Sequence, residues 1–202
     1  MDGKTHALVG AATAVVLTQP MNLADILFAS SVGALGGLYC DVDIDNSIGS
    51  KILHKVLLVV SFGVAVIVGL ILTHNLPQMD FILNDRVMRY RLIGIACLII
   101  LATLGSNTPH RMVTHSLEFI LLTSTASILI SNSFAVLFLF GQLSHVVLDV
   151  LNKKPVKLSL LAGLNLCFGV CKSSGKLSNL FAILAIAILV GYPGLVGVKI
   201  LL

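Results

Sequence analysis

Charge is what this chain of 202 residues has least of. Only 11% of its side chains are charged, tryptophan is absent, and there are four cysteines and five prolines. Such scarcity of charge, with 57% hydrophobic residues and a mean hydropathy of +1.03, excludes an ordinary soluble domain and defines an integral membrane protein. Cys40, Cys97, Cys167 and Cys171 all lie in or beside apolar runs. A thiol there acts as a small hydrophobe, so a disulfide framework is not expected. Cys167 and Cys171 could share a helix face, but no histidine nearby completes a metal site with them. The opening MDGKTH has one lysine, and the run that follows breaks at Pro20 without a small-residue cleavage site. It is read as structural rather than as a removable signal. No internal repeat, heptad or low-complexity tract is evident. The net charge of +4 belongs with topology and lipid headgroups rather than nucleic acid.

What the chain does have is apolar runs, at 7–17, 23–39, 56–73, 92–105, 117–130, 134–151 and 180–198. A hydrocarbon core of roughly 30 Å needs about 20 apolar residues per helix. The pattern predicts an all-α, polytopic transmembrane bundle forming one domain over 1–202. The runs 7–17 and 117–130 reach only about 16 to 21 Å, so they are expected to be short or re-entrant helices inside the bundle. Residues 156–178 could form an interfacial helix, a re-entrant hairpin or a lid, ahead of the last crossing.

Alternate crossings put Lys4, Lys51, Lys55, Arg111, Lys153, Lys154, Lys157, Lys172 and Lys176 on one side and Arg86, Arg89, Arg91 and Lys199 on the other. The richer side is expected to be cytoplasmic.

The same threading, drawn from hydrophobicity alone, brings His6, Asp41, Asp43, Asp45, His54, His110, His115, His145 and Asp149 to that side. Of the six histidines only His74 is left opposite. Imidazole and carboxylate are the ligands of zinc and comparable divalent ions. His145 and Asp149, four apart on one helix, project from one face as a chelating pair does, although Asp149 could instead pair with Lys153. Three acids in DVDID, at the exit of an apolar helix, call for a metal or basic partner unless the loop is simply solvated. An EF-hand is excluded, since Asn46 stands where glycine is needed and Ile52 where the bidentate glutamate belongs.

In HRMVTHS, Thr108 and Pro109 suit a helix start. His110 and His115 would point apart from a regular helix, serving two metals or one metal and a substrate group. Arg111 has the planar fork for a phosphate, or else merely anchors topology. His6 alone opens the first helix, and His54 beside Lys55 reads as a headgroup contact.

Together these motifs resemble the YdjM-like family of membrane-bound metal-dependent hydrolases. The resemblance rests on His6, on CDVDIDNS for an Asp-x-Asp loop, on HRMVTHS for a His-Arg-x-x-Thr-His-Ser core and on LSHVVLD for Ser-His-x-x-x-Asp, over roughly residues 1 to 155. It implies metal positions at His6, Asp41, Asp43, His110, His115, His145 and Asp149, with Asp43 and Asp45 as the other register of the acidic loop. More distantly the family is similar to zinc-dependent phospholipase C and P1-type nucleases. This chain lacks their N-terminal tryptophan and offers fewer ligands, which argues against a three-zinc cluster. Cys40 also replaces the family's proline.

The expected function is hydrolysis of an ester or phosphodiester in a lipid-like substrate at the cytoplasmic face of the cell inner membrane. One or two divalent ions, Zn2+ first and Mn2+ as the alternative, would activate water. Asp41 or Asp43 would bridge or act as base, Arg111 would steady developing charge, and Thr114 and Ser116 would orient ligands. The rivals are a divalent-metal or proton transporter and a noncatalytic scaffold locked by metal.

Overall fold

Short polar caps divide the apolar chain into helices. The computed structural model describes residues 2–44, 51, 55, 59, 63, 85–172 and 175–201. Within them are α1 (Gly3–Thr18), α2 (Leu23–Tyr39), α3 (Arg86–Ser106), α4 (Leu117–Ile128), α5 (Asn132–Val150) and α6 (Lys176–Leu201). Each of the first five begins where an Asp, Asn or Ser side chain accepts an otherwise unpaired amide. Asp2 takes Thr5 N, Asn22 takes Asp25 N, Asp85 takes Val87 N, Ser116 takes Phe119 N and Ser131 takes Phe134 N. Helix α1 stops at Gln19, which turns left-handed with φ of 47° ahead of Pro20. Helix α2 tightens into a 3-10 turn over Cys40–Asp43.

Among the described residues, four helical segments are long and apolar enough to cross a membrane: Leu23–Asp43, Arg86–Ser106, Asn132–Val150 and Lys176–Gly197. At 12 residues, α4 is about 18 Å long and falls short of a crossing. The architecture is the expected all-α membrane bundle with short helices. The apolar run 56–73, and with it Asp45, His54 and His74, lies outside the described residues. The described residues 156–172 form no helix, and α6 begins at Lys176. Val156–Lys157 (β1) pairs antiparallel with Asn165–Leu166 (β2), Val156 opposite Leu166.

Glycine decides how the helices meet. A Cβ on Gly10 of α1 would lie 2.5 Å from the Gly33 carbonyl oxygen of α2, and one on Gly33 would lie 2.5 Å from Ala14 Cβ. On Gly37 it would strike the His6 carbonyl, on Gly36 the Phe138 carbonyl, and on Gly141 of α5 the Gly33 carbonyl. Small residues let helix backbones touch inside a bilayer, where no hydrophobic effect drives helices together. Helix α2 is thus wedged between α1 and α5. Helix α3 joins through the Tyr39 hydroxyl, which donates to the Leu98 carbonyl at 2.5 Å. Around this seam Tyr39, Phe119, Phe138, Val15 and Val42 form the main buried cluster.

The seam fixes where functional groups fall. It holds the start of α1, the end of α2 and the end of α5 at one end of the bundle, and there the α3–α4 loop folds over them.

Candidate metal centre

Four imidazoles from three separate segments form a row at that end. His6 stacks on His145 with ring centroids 3.7 Å apart, His145 meets His115 edge-on at 4.9 Å, and His115 meets His110 at 5.3 Å. His6, His115 and His145 are fully buried, while the His110 side chain is 36% exposed and is the edge of the row open to the outside.

Carboxylates line the row. Asp41 Oδ1 lies 3.5 Å from His145 Nε2 and 3.9 Å from His115 Nε2. Asp149 reaches His6 Nε2 at 3.3 Å and His115 Nε2 at 3.4 Å. Three overlapping sets have ligand atoms within 4.8 Å of one another: His6, Asp41 and His145; Asp41, His110 and His115; and His115, His145 and Asp149. Because each set shares a residue with another, the groups make one continuous centre. Its donors are nitrogen and oxygen, the set suited to zinc or manganese.

Neighbouring groups hold the rings in a defined protonation pattern. His145 Nδ1 lies 2.6 Å from the Gly37 carbonyl, which can only accept, so Nδ1 carries the proton and Nε2 a lone pair. The Thr114 hydroxyl spends its one proton on Asp43 Oδ2 at 2.6 Å. Its oxygen is then left to accept from His115 Nδ1 at 2.9 Å, and His115 Nε2 is a lone pair as well. These two Nε2 atoms face each other at 3.0 Å. Two lone pairs at that separation repel, and either a proton between them or a metal cation within reach of both relieves the contact. Beside them Nδ1 of buried His6 lacks a hydrogen-bond partner among the described residues, while its Nε2 faces Asp149 at 3.3 Å. Native interiors rarely leave such atoms unmet. The donor set therefore fits a divalent cation.

Asp43 is used differently. Its carboxylate accepts from His110 Nδ1 at 2.9 Å, from the Arg111 backbone amide at 3.2 Å and from Thr114. This explains why HRMVTHS is not the helix start that Thr108 and Pro109 suggest. The loop wraps the Asp43 carboxylate, Arg111 turns left-handed with φ of 66°, and α4 begins only at Leu117. Ser116 caps that helix and donates to the Val113 carbonyl, so its bonds run to the backbone rather than to a ring or carboxylate of the centre.

Arg111 is buried, with Nη2 3.0 Å from Asp149 Oδ2, Nη1 donating to the Lys154 carbonyl at 2.9 Å and Nε donating to His110 Nε2 at 3.3 Å. Asp149 thus contacts Arg111 as well as the two histidines. Each site residue expected from sequence and lying within the described residues is at this centre or capping its loop. Sequence reasoning missed the Gly37 and Lys154 carbonyls. Main-chain acceptors carry no side-chain signal, though the glycines at 33, 36 and 37 do mark a close helix approach.

The fold and the centre together define a class: a polytopic helical membrane protein with a buried histidine and aspartate cluster at one end of its bundle. The chain belongs to the family described as YdjM inner membrane protein, which it matches over residues 1–195. It matches neither a curated protein nor a solved structure.

Proposed function

We propose that this protein is a metal-dependent hydrolase that cuts an ester or phosphodiester bond in a lipid-like substrate at the cytoplasmic face of the inner membrane. The observation that carries the reading is the facing pair of Nε2 atoms on His115 and His145, beside the unmet Nδ1 of His6. Protein groups that hold rings in one tautomer are a regular feature of metal sites.

His6, His115, His145, Asp41 and Asp149 would hold the ion, with Zn2+ the first choice and Mn2+ the second. A divalent cation supplies Lewis acidity toward a phosphoryl or carbonyl oxygen and brings the pKa of water to about 7. The chain's own groups do the positioning. Gly37 and Thr114 aim the two imidazoles, and Asp43 gathers the His110 to Thr114 loop around itself. Arg111 holds Asp149 and stands at the edge of the centre where anionic charge would develop, so it can stabilise that charge without reorganising. His110, the half-open edge of the row, lies where substrate would enter.

Orientation follows from nine basic residues on the centre's side of the sequence threading against four on the other. Transport of a divalent ion or proton is the competing reading, and it calls for polar groups along the depth of the bundle. The buried Thr123 and Gln142 pair, one helical turn beyond His145, bond to each other rather than extending the row.

Elemental analysis joined to turnover on a panel of phospholipids and lipid esters tests the proposal. A His115→Ala protein that stays folded, loses metal and loses turnover supports it. Metal-dependent flux in proteoliposomes without turnover would replace it with transport, and bound metal with neither would leave a scaffold. Unchanged turnover in His115→Ala would end it.

A further inference from the structure

The segment between Lys157 and Lys172 contains no charged residue, in a chain where lysines flank it closely at 153, 154 and 157 and again at 172 and 176. It folds as the β1–β2 hairpin and its return to the bundle. Leu158 and Leu166 pack inward against Ile120 and Val146, but Leu161 is 91% exposed, Phe168 66% and Val170 61%. A polar hairpin turn would normally stand in that position, and outward apolar groups in such density mark an interaction surface.

The backbone is prepared for a poorly hydrated setting. Leu158 N donates to the Leu164 carbonyl, Phe168 N to Val150, Gly169 N to Asn152 and Cys171 N to Leu151. At the tip the Glu118 carboxylate, on the first turn of α4, accepts from the Ser159 hydroxyl at 2.6 Å and from the amides of Leu160 and Leu161 at 3.1 and 3.2 Å. Amides left bare would oppose entry into a lipid boundary.

We propose that residues 158–170 form an interfacial anchor that lies in the headgroup and upper acyl region of the leaflet next to the His/Asp centre, with the flanking lysines on anionic headgroups. The occupant is the lipid surface rather than another protein for two reasons. The hairpin follows directly on α5, itself long and apolar enough to span, so its apolar surface continues a membrane-embedded one. An apolar stretch collared by lysine is also the pattern that combines partial insertion with attraction to anionic lipid. The anchor is tied to the centre at two points. Lys157 N donates to the Arg111 carbonyl and Arg111 Nη1 donates to the Lys154 carbonyl, so the depth of the hairpin bears directly on the residue that holds Asp149.

The absence of native tryptophan makes a direct test available. The full-length Leu161→Trp protein, reconstituted in vesicles of phosphatidylcholine and phosphatidylglycerol, carries a single indole at an exposed position where substitution does not disturb the core. The expected result is blue-shifted emission that is quenched by nitroxide placed high on the acyl chain, less by nitroxide at the chain end, and little by aqueous acrylamide. Adding Leu161→Asp to a Phe168→Trp protein should shift the emission to the red and open it to acrylamide. Emission at water's wavelength, quenched by acrylamide and untouched by nitroxide lipid, would overturn the proposal. So would strongest quenching from the bilayer centre, which would make the segment a deep re-entrant loop.

Discussion

His115 Nε2 and His145 Nε2 stand 3.0 Å apart, each the bare nitrogen of a ring whose other nitrogen is held by a hydrogen-bond partner. With both rings neutral this brings two lone pairs together, a contact that a shared metal cation relieves. Added Zn2+ or Mn2+ should therefore raise the unfolding midpoint of the detergent-solubilised protein, by the equivalent of about 2.7 kcal/mol at a hundredfold excess over Kd. The response should weaken as the pH is lowered, because the imidazoles must lose their protons to bind. His145→Ala should abolish it. A midpoint indifferent to metal in the unsubstituted chain would contradict this account of the pair.

Thr114 connects His115 to Asp43 through one hydroxyl. Thr114→Val keeps the shape but removes both bonds, so the His115 ring is free to turn and Asp43 loses a donor. Loss of such a supporting partner costs roughly 10- to 100-fold in metal affinity. Thr114→Ser should recover most of it. Isothermal titration of the metal-stripped proteins compares the three, and a Thr114→Val protein with unchanged affinity would show that the hydroxyl does not set the ring.

The glycine seam predicts a sharp contrast between equal substitutions. Gly36→Ala and Gly141→Ala each drive a methyl group into the backbone of the facing helix, whereas a Cβ on Gly191 of α6 meets nothing within 4 Å. Overpacking of this kind costs about 1–3 kcal/mol, and more where the obstacle is main chain. Both seam variants should lower the thermal midpoint and weaken metal binding, since α2 carries Asp41 and α5 carries His145 and Asp149. Gly191→Ala should change neither. Equal behaviour of all three would remove the seam as the element that aligns the centre.

Much of this arrangement is legible in the sequence. Hydrophobic run lengths marked α1, α2, α3, α4, α5 and α6 to within a few residues at most ends, because burial in lipid demands long apolar stretches that few other constraints produce. Alternating crossings then put His6, Asp41, Asp43, His110, His115, His145 and Asp149 at one end, since topology needs only the number of spans between them. The conformation of HRMVTHS was not legible. Thr-Pro locally favours a helix start, but three donors from the loop converge on Asp43, a residue more than sixty positions away. The sequence leaves the segment after α5 open among a helix, a hairpin and a lid for the same reason. Its strands are two residues long and are set by bonds to Arg111, Val150, Leu151 and Asn152 rather than by a period of their own.

Glu118 offers a test of how the hairpin is held. Hydrogen bonds from the Ser159 hydroxyl and from the Leu160 and Leu161 amides favour its ionised form and bring its pKa from 4.5 down to about 2. A carboxyl depressed on folding adds stability that is complete above its unfolded pKa and is lost as the pH falls through the folded one. The clamp should therefore be intact at neutral pH, weaken below about 4.5 and release near 2. In the Leu161→Trp protein the emission should stay constant down to the upper limit and change below it. Glu118→Gln keeps one acceptor but loses the charge, so the emission should already be altered at neutral pH, and the acid transition should vanish. Amide exchange at Leu160 and Leu161 should quicken several-fold in that variant while amides of α5 stay protected. An acid transition that persists in Glu118→Gln would assign the change to another group.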